Sequence, residues 1–107
     1  MKPDEETVQL MLQVAKSAIE VHLKGGEISL PHLSSPWSEA RAVFVTLRDK
    51  DGALRGCIGH LAASRGSLIE EIACDAVLAA TEDPRFPKVS LDELKTLTLS
   101  ISILGSA

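Results

Sequence analysis

Residues 43–59 read Val43-Phe44-Val45-Thr46-Leu47-Arg48-Asp49-Lys50-Asp51-Gly52-Ala53-Leu54-Arg55-Gly56-Cys57-Ile58-Gly59. In the first six, Val43, Val45 and Leu47 alternate with Phe44, Thr46 and Arg48, the pattern of a half-buried strand. Asp49-Lys50-Asp51-Gly52 then supplies turn chemistry, with Gly52 suited to a positive φ. A second extended run follows, so Ala42–His60 is predicted to be a β-hairpin. Alternation along its second arm sets Arg55 and Cys57 on one face and Leu54 and Ile58 on the other. Glycine inside a strand loses packing and backbone entropy, so Gly56 and Gly59 require a bulge or a close approach by backbone or ligand.

Upstream, Asp4–Lys24 carries Val8, Met11, Leu12, Ala15, Ile19 and Leu23 at helical spacing, which predicts an amphipathic helix. Acidic residues crowd its first turn and Gly25-Gly26 ends it, as the helix dipole and C-cap geometry favour. His22 falls near the apolar edge of that helix, and His32 is isolated in sequence. Residues 26–40 hold two prolines, several serines and Trp37. They read as an irregular connection, with a short extended piece expected at Glu27–Leu30 and Trp37 expected to pack it down.

Downstream, Ser67 with Glu70 three positions on opens a second helix, Ser67–Glu82. Its apolar stripe is Ile69, Ile72, Ala73, Ala76, Val77 and Ala80, and Cys74 lies beside that stripe as an expected buried, inert thiol. Asp83-Pro84-Arg85-Phe86-Pro87 follows, held extended by its prolines. Phe86 is expected in the core and Arg85 is left as the residue able to reach a ligand. Ser90–Leu94 reads as one capped turn. Leu97, Leu99, Ile101 and Ile103 alternate with Thr98, Ser100 and Ser102, a strand with one polar face.

These pieces predict a single α/β (α+β) domain, residues 1–107, with an antiparallel sheet and flanking helices. The hairpin and the Leu97–Leu104 strand belong to the same sheet, and Leu12, Ile19, Val45, Ile72, Ala76 and Ile101 are expected to be buried.

Composition narrows the function classes. The chain has 107 residues, 45% of them hydrophobic, enough for a packed core and against disorder. Eleven basic side chains against fifteen acidic ones, a net charge of −4 and only three aromatic residues offer neither the basic face nor the stacking platform of a nucleic-acid binder. No apolar run approaches the roughly 18 residues a membrane span needs. Met1-Lys2-Pro3-Asp4-Glu5-Glu6 lacks the apolar stretch of a secretory signal, and two cysteines make no disulfide framework, so a cytoplasmic setting is expected.

Several motifs fall away. Gly52, Gly56 and Gly59 do not have the spacing of a dinucleotide fingerprint, and no phosphate loop is present. Cys57 and His60, three apart in a strand, point to opposite faces, so no metal site is expected from that pair.

Together, Phe44–Arg48, Asp51-Gly52, Leu54-Arg55-Gly56-Cys57-Ile58-Gly59 and Asp83-Pro84-Arg85-Phe86-Pro87 resemble the AMMECR-type domain, whose bacterial and archaeal form is called AmmeMemoRadiSam system protein A. The likeness runs from about Val8 to Leu104. It implies a mixed α/β domain in a prokaryotic cytoplasm, associated with Memo-like and radical-SAM proteins. Members of the family normally continue into a second, smaller lobe that this sequence lacks, so the chain reads as a shortened member.

Two functions remain open. One is a thiol-dependent enzyme or enzyme subunit acting on a small anionic molecule. In that reading Cys57 is nucleophile or ligand contact and Arg55 its electrostatic activator, because a positive charge beside a thiol favours the nucleophilic thiolate. Arg55 or Arg85 clamps the anion, and Gly56 and Gly59 leave room for it. The other is a non-catalytic binding module that positions partner proteins, with Cys57 a small buried hydrophobe and Arg55 paired to an acidic neighbour. The cofactor is left open. The Leu97–Leu104 strand, if it ends the sheet, is expected to promote self-association.

Overall fold

A computed structural model describes residues 2–104. Helix α1 spans Glu5–Leu23, strands β1 and β2 span Val43–Arg48 and Leu54–Gly59, helix α2 spans Leu68–Thr81, the single turn α3 spans Leu91–Leu94 and strand β3 spans Thr98–Ile103. The three strands form one antiparallel sheet in the order β2-β1-β3. The hairpin and the last strand therefore share a sheet, as the alternation predicts.

Both long helices end where the sequence places their signals. The Asp4 carboxylate accepts the Thr7 N–H at the start of α1, and the Ser67 hydroxyl accepts the Glu70 N–H at the start of α2. Gly25, at φ +82°, closes α1: its own N–H reaches the His22 carbonyl and the Gly26 N–H reaches Val21. These two bonds satisfy carbonyls that the end of a helix leaves open, and a positive φ makes glycine the residue for the position. In the hairpin turn Gly52 takes φ +84°, while the Asp49 carboxylate accepts the N–H groups of Asp51 and Ala53.

The core lies between the helices and one face of the sheet. Val43, Val45 and Leu47 of β1 are completely buried, together with Ile19 of α1 and Ile72 and Ala76 of α2. Truncating Ile72 to alanine would cost about 2–5 kcal/mol at such a site. Leu12 and Ile101, expected to be buried, are only half-buried. Leu12 sits at the margin of the α1 stripe, which centres instead on Met11, Val14, Ala15, Ala18 and Ile19. Ile101 belongs to an edge strand, where one flank has no neighbour to cover it.

The opposite face of the sheet is polar. Thr46 and Phe44 of β1 are half-buried there, and Thr98, Ser100 and Ser102 of β3 are exposed. The connection before β1 is irregular, with Leu33 and Trp37 buried and the Arg41 guanidinium 4.9 Å above the Trp37 ring. Trp37 thus packs the connection. The extended piece expected at Glu27–Leu30 is not a strand: Ile28 and Leu30 rest against the core through their side chains, with no neighbouring strand to bond.

No helix among the described residues is long and apolar enough to cross a membrane.

Candidate functional site

Strand β2 is an edge of the sheet, and its outer backbone groups need partners. Asp83–Pro87, just beyond α2, supplies them. The Cys57 N–H donates to the Asp83 carboxylate at 3.0 Å, and the Arg85 guanidinium donates to the Cys57 carbonyl at 3.4 Å. Asp83 is buried and also accepts the Arg85 backbone N–H, Nε at 3.0 Å and Nη2 at 2.7 Å. The Arg85 guanidinium holds the Asp83 carboxyl well below the usual carboxylate range, against an opposing push from burial, and the N–H groups of Arg85 and Cys57 add to the effect. Yet the Arg85 side chain remains 55% exposed. One buried carboxylate therefore orients both a strand-edge thiol residue and a solvent-facing guanidinium.

Cys57 itself is half-buried, and its Sγ lies 3.3 Å from the Thr46 hydroxyl on the neighbouring strand. Arg55 is arranged differently from the simple alternation. A bulge interrupts the β1–β2 register: Leu47 pairs with Gly56 and Arg48 with Leu54, leaving Arg55 without a partner. Its guanidinium makes a two-pronged ion pair with Glu93 of α3, Nη2 to Oε1 at 2.9 Å and Nε to Oε2. The Arg55 charge is therefore already matched by Glu93, which removes the support for Arg55 as activator of Cys57. Phe86 is half-buried outside the core, with the Arg55 guanidinium 5.9 Å and the Arg85 guanidinium 5.4 Å from its ring centre. Two arginines hold it at the sheet margin.

The glycines do not leave room for a ligand. A Cβ at Gly56 would collide with the Ala79 carbonyl, and one at Gly59 with the Val43 carbonyl and the Phe44 ring. The space beside Gly56 is taken by the backbone of α2, and that beside Gly59 by strand β1. Cys74 also departs from expectation: it is half-buried, and the Arg65 guanidinium donates to its sulfur at 3.1 Å.

A second cluster escaped the sequence reading. His60, just past β2, faces α2 rather than Cys57, and its Nδ1 lies 3.6 Å from Glu71 Oε2 and 3.2 Å from Asp75 Oδ1. Glu71 and Asp75 are fully buried. Burial pushes Glu71 up, but the Ser64 hydroxyl and the Ser64 and Arg65 N–H groups outweigh it and hold the carboxyl below its ordinary value. For Asp75 burial prevails, aided by the nearby Glu71, and drives the carboxyl up to about 6 despite His60. The available signal was two carboxylates one helical turn apart on α2, but they lie off the expected apolar stripe, and the face that is buried is rotated from it toward Leu68, Glu71, Asp75 and Ala79.

The family model described as AMMECR1 matches residues 12–107. A protein of Methanococcoides burtonii is 44% identical over 105 residues, covering 94% of this chain and 48% of its own length. A Thermotoga maritima protein is 42% identical over 90 residues, covering 81% of this chain and 52% of its own. The crystal structure of the uncharacterized protein PH0010 from Pyrococcus horikoshii superposes with a TM-score of 0.85 at 37% identity, over 96% of this chain and 53% of that one. The chain thus spans about half the length of the relatives it matches.

Proposed function

This chain belongs to the AMMECR1 family, and from that premise we propose that the corner formed by Cys57 and Arg85 binds a small anionic molecule. In this reading the domain is part of a thiol-dependent enzyme or enzyme subunit, working in the cytoplasm beside Memo-like and radical-SAM proteins. The observation that carries it is the Asp83 carboxylate. It ties down the Cys57 backbone and aligns the Arg85 fork while leaving the guanidinium exposed to solvent. A guanidinium so held loses less freedom on meeting a carboxylate or phosphate, which it meets through Nη1, the nitrogen not engaged by Asp83 or Cys57. Arg55 and Arg85 are each paired to a carboxylate, but the Arg85 side chain is 55% exposed and that of Arg55 only 13%, so the role of anion clamp falls to Arg85. The Thr46 hydroxyl, in contact with the Cys57 sulfur, is a further polar group at the corner.

The test compares alkylation of Cys57 by anionic iodoacetate and by neutral iodoacetamide, in a Cys74→Ser background. Arg85→Ala should lower the iodoacetate-to-iodoacetamide rate ratio several-fold, and Arg55→Ala should leave it near the wild-type value. A ratio unmoved by Arg85→Ala, or a Cys57 that neither reagent reaches, overturns the reading.

A second reading, a binding module for partner proteins, is favoured by the outer edge of β3. Among the described residues no strand pairs with it, whereas the β2 edge is covered by Asp83 and Arg85.

A further inference from the structure

We propose that His60, Glu71 and Asp75 form a binding site for one divalent transition-metal ion, with zinc the foremost candidate. The three side chains each present one ligand atom, and these atoms lie within 4.8 Å of one another. Two of the separations are 3.2 Å and 3.6 Å, from His60 Nδ1 to Asp75 Oδ1 and to Glu71 Oε2. A tetrahedral ion with bonds of about 2.0–2.1 Å places its ligand atoms about 3.3–3.5 Å apart. The two separations from His60 are therefore close to the edge of such a site, and the third pair of atoms lies within 4.8 Å.

Asp75 supplies the independent observation. Both of its carboxylate oxygens are buried and neither accepts a hydrogen bond, although His60 Nδ1 is within ion-pair distance of one of them. A fully buried carboxylate without donors beside a second buried carboxylate is costly unless a cation compensates it.

The surroundings are built as metal sites are. Glu71 does not depend on the ion for its orientation: Ser64 N–H and Arg65 N–H donate to Oε1 and the Ser64 hydroxyl to Oε2. Such outer donors fix ligand geometry and tune affinity. Glu71 and Asp75 are one turn apart on a rigid helix, and His60 comes from the end of β2 with its side chain 43% exposed, so an ion can enter from solvent. One imidazole nitrogen and two carboxylate oxygens suit a borderline divalent ion, and three protein ligands leave a coordination position for water. The site is distinct from Cys57, which faces Thr46 on the other side of the sheet.

Equilibrium dialysis of the full chain against Zn²⁺, in a Cys74→Ser background, should retain about one ion per chain. His60→Ala removes a half-exposed side chain and should weaken retention by more than about tenfold, as should Asp75→Asn. Co²⁺ in place of zinc should give a tetrahedral ligand-field spectrum without a sulfur-to-metal charge-transfer band. Absence of stoichiometric binding, retention undiminished in His60→Ala, or a thiolate band in the cobalt spectrum overturns the assignment.

Discussion

The Asp83 carboxylate accepts the backbone N–H of Cys57 across 26 residues of sequence and so closes the outer edge of the sheet. Asp83→Ala should leave that N–H without its partner and lower stability by about 1–3 kcal/mol, read from urea unfolding. Because Arg85 holds the Asp83 carboxyl depressed, its stabilising contribution is present above the unfolded value near about 4 and is lost as pH falls below it. The gap between wild type and Asp83→Ala should therefore narrow as the urea midpoint is followed from pH 6 downward. A gap independent of pH would count against the ionised carboxylate.

The Asp75 carboxyl has the opposite sign. The fold raises it to about 6, so the protonated form is favoured and its contribution is complete below about 4 and lost as pH rises through about 6. His60, Glu71 and Arg65 are the charged groups that face it. In the presence of a chelator, Asp75→Asn should match wild type near pH 4 and exceed it near pH 7 by on the order of 2–3 kcal/mol. Equal stabilities at both pH values would show that Asp75 carries no such penalty.

Gly56 and Ala79 touch backbone to side-chain position, strand against helix. Gly56→Ala should push α2 away from β2 and cost at least about 1–3 kcal/mol, as overpacking does. The same change at Gly52, where the turn has open space but a positive φ, should cost about 1 kcal/mol from the backbone alone. Thermal unfolding of the two variants separates the effects, and a Gly56→Ala protein as stable as wild type would contradict the close approach.

Among the described residues strand β3 lies at the sheet edge opposite the protected one, and we expect it to promote self-association. Light scattering at rising concentration should show growth in mass, reduced by Ser100→Lys and Ser102→Lys, whose positions are exposed. A wild-type chain that stays monomeric at high concentration removes this role for the edge.

Much of the fold was legible along the chain because its signals are local. Period-two alternation marks Val43–Arg48 and the last strand, period 3.6 marks both helices, and Asp4, Ser67, Gly25 and Gly52 punctuate them through hydrogen bonds and φ values that depend on near neighbours. Even the need for close approach at Gly56 could be read, since a glycine inside a strand has few other uses.

What occupies that space was decided by tertiary packing: the Ala79 backbone sits there, not a ligand. The bulge at Arg55 likewise depends on register with β1, and it sends the guanidinium to Glu93, a residue 38 positions away. Asp83 reads in sequence as part of a proline-rich turn, and only the docking of that turn on the β2 edge makes it the anchor of Cys57 and Arg85. His60, Glu71 and Asp75 each look like solvated surface residues when taken alone. The sequence by itself determined where the chain extends, coils and turns, because those preferences are set within a few residues. Only the tertiary structure decided which charges are buried together, because burial and electrostatic pairing depend on distance in space between segments that local preferences leave independent.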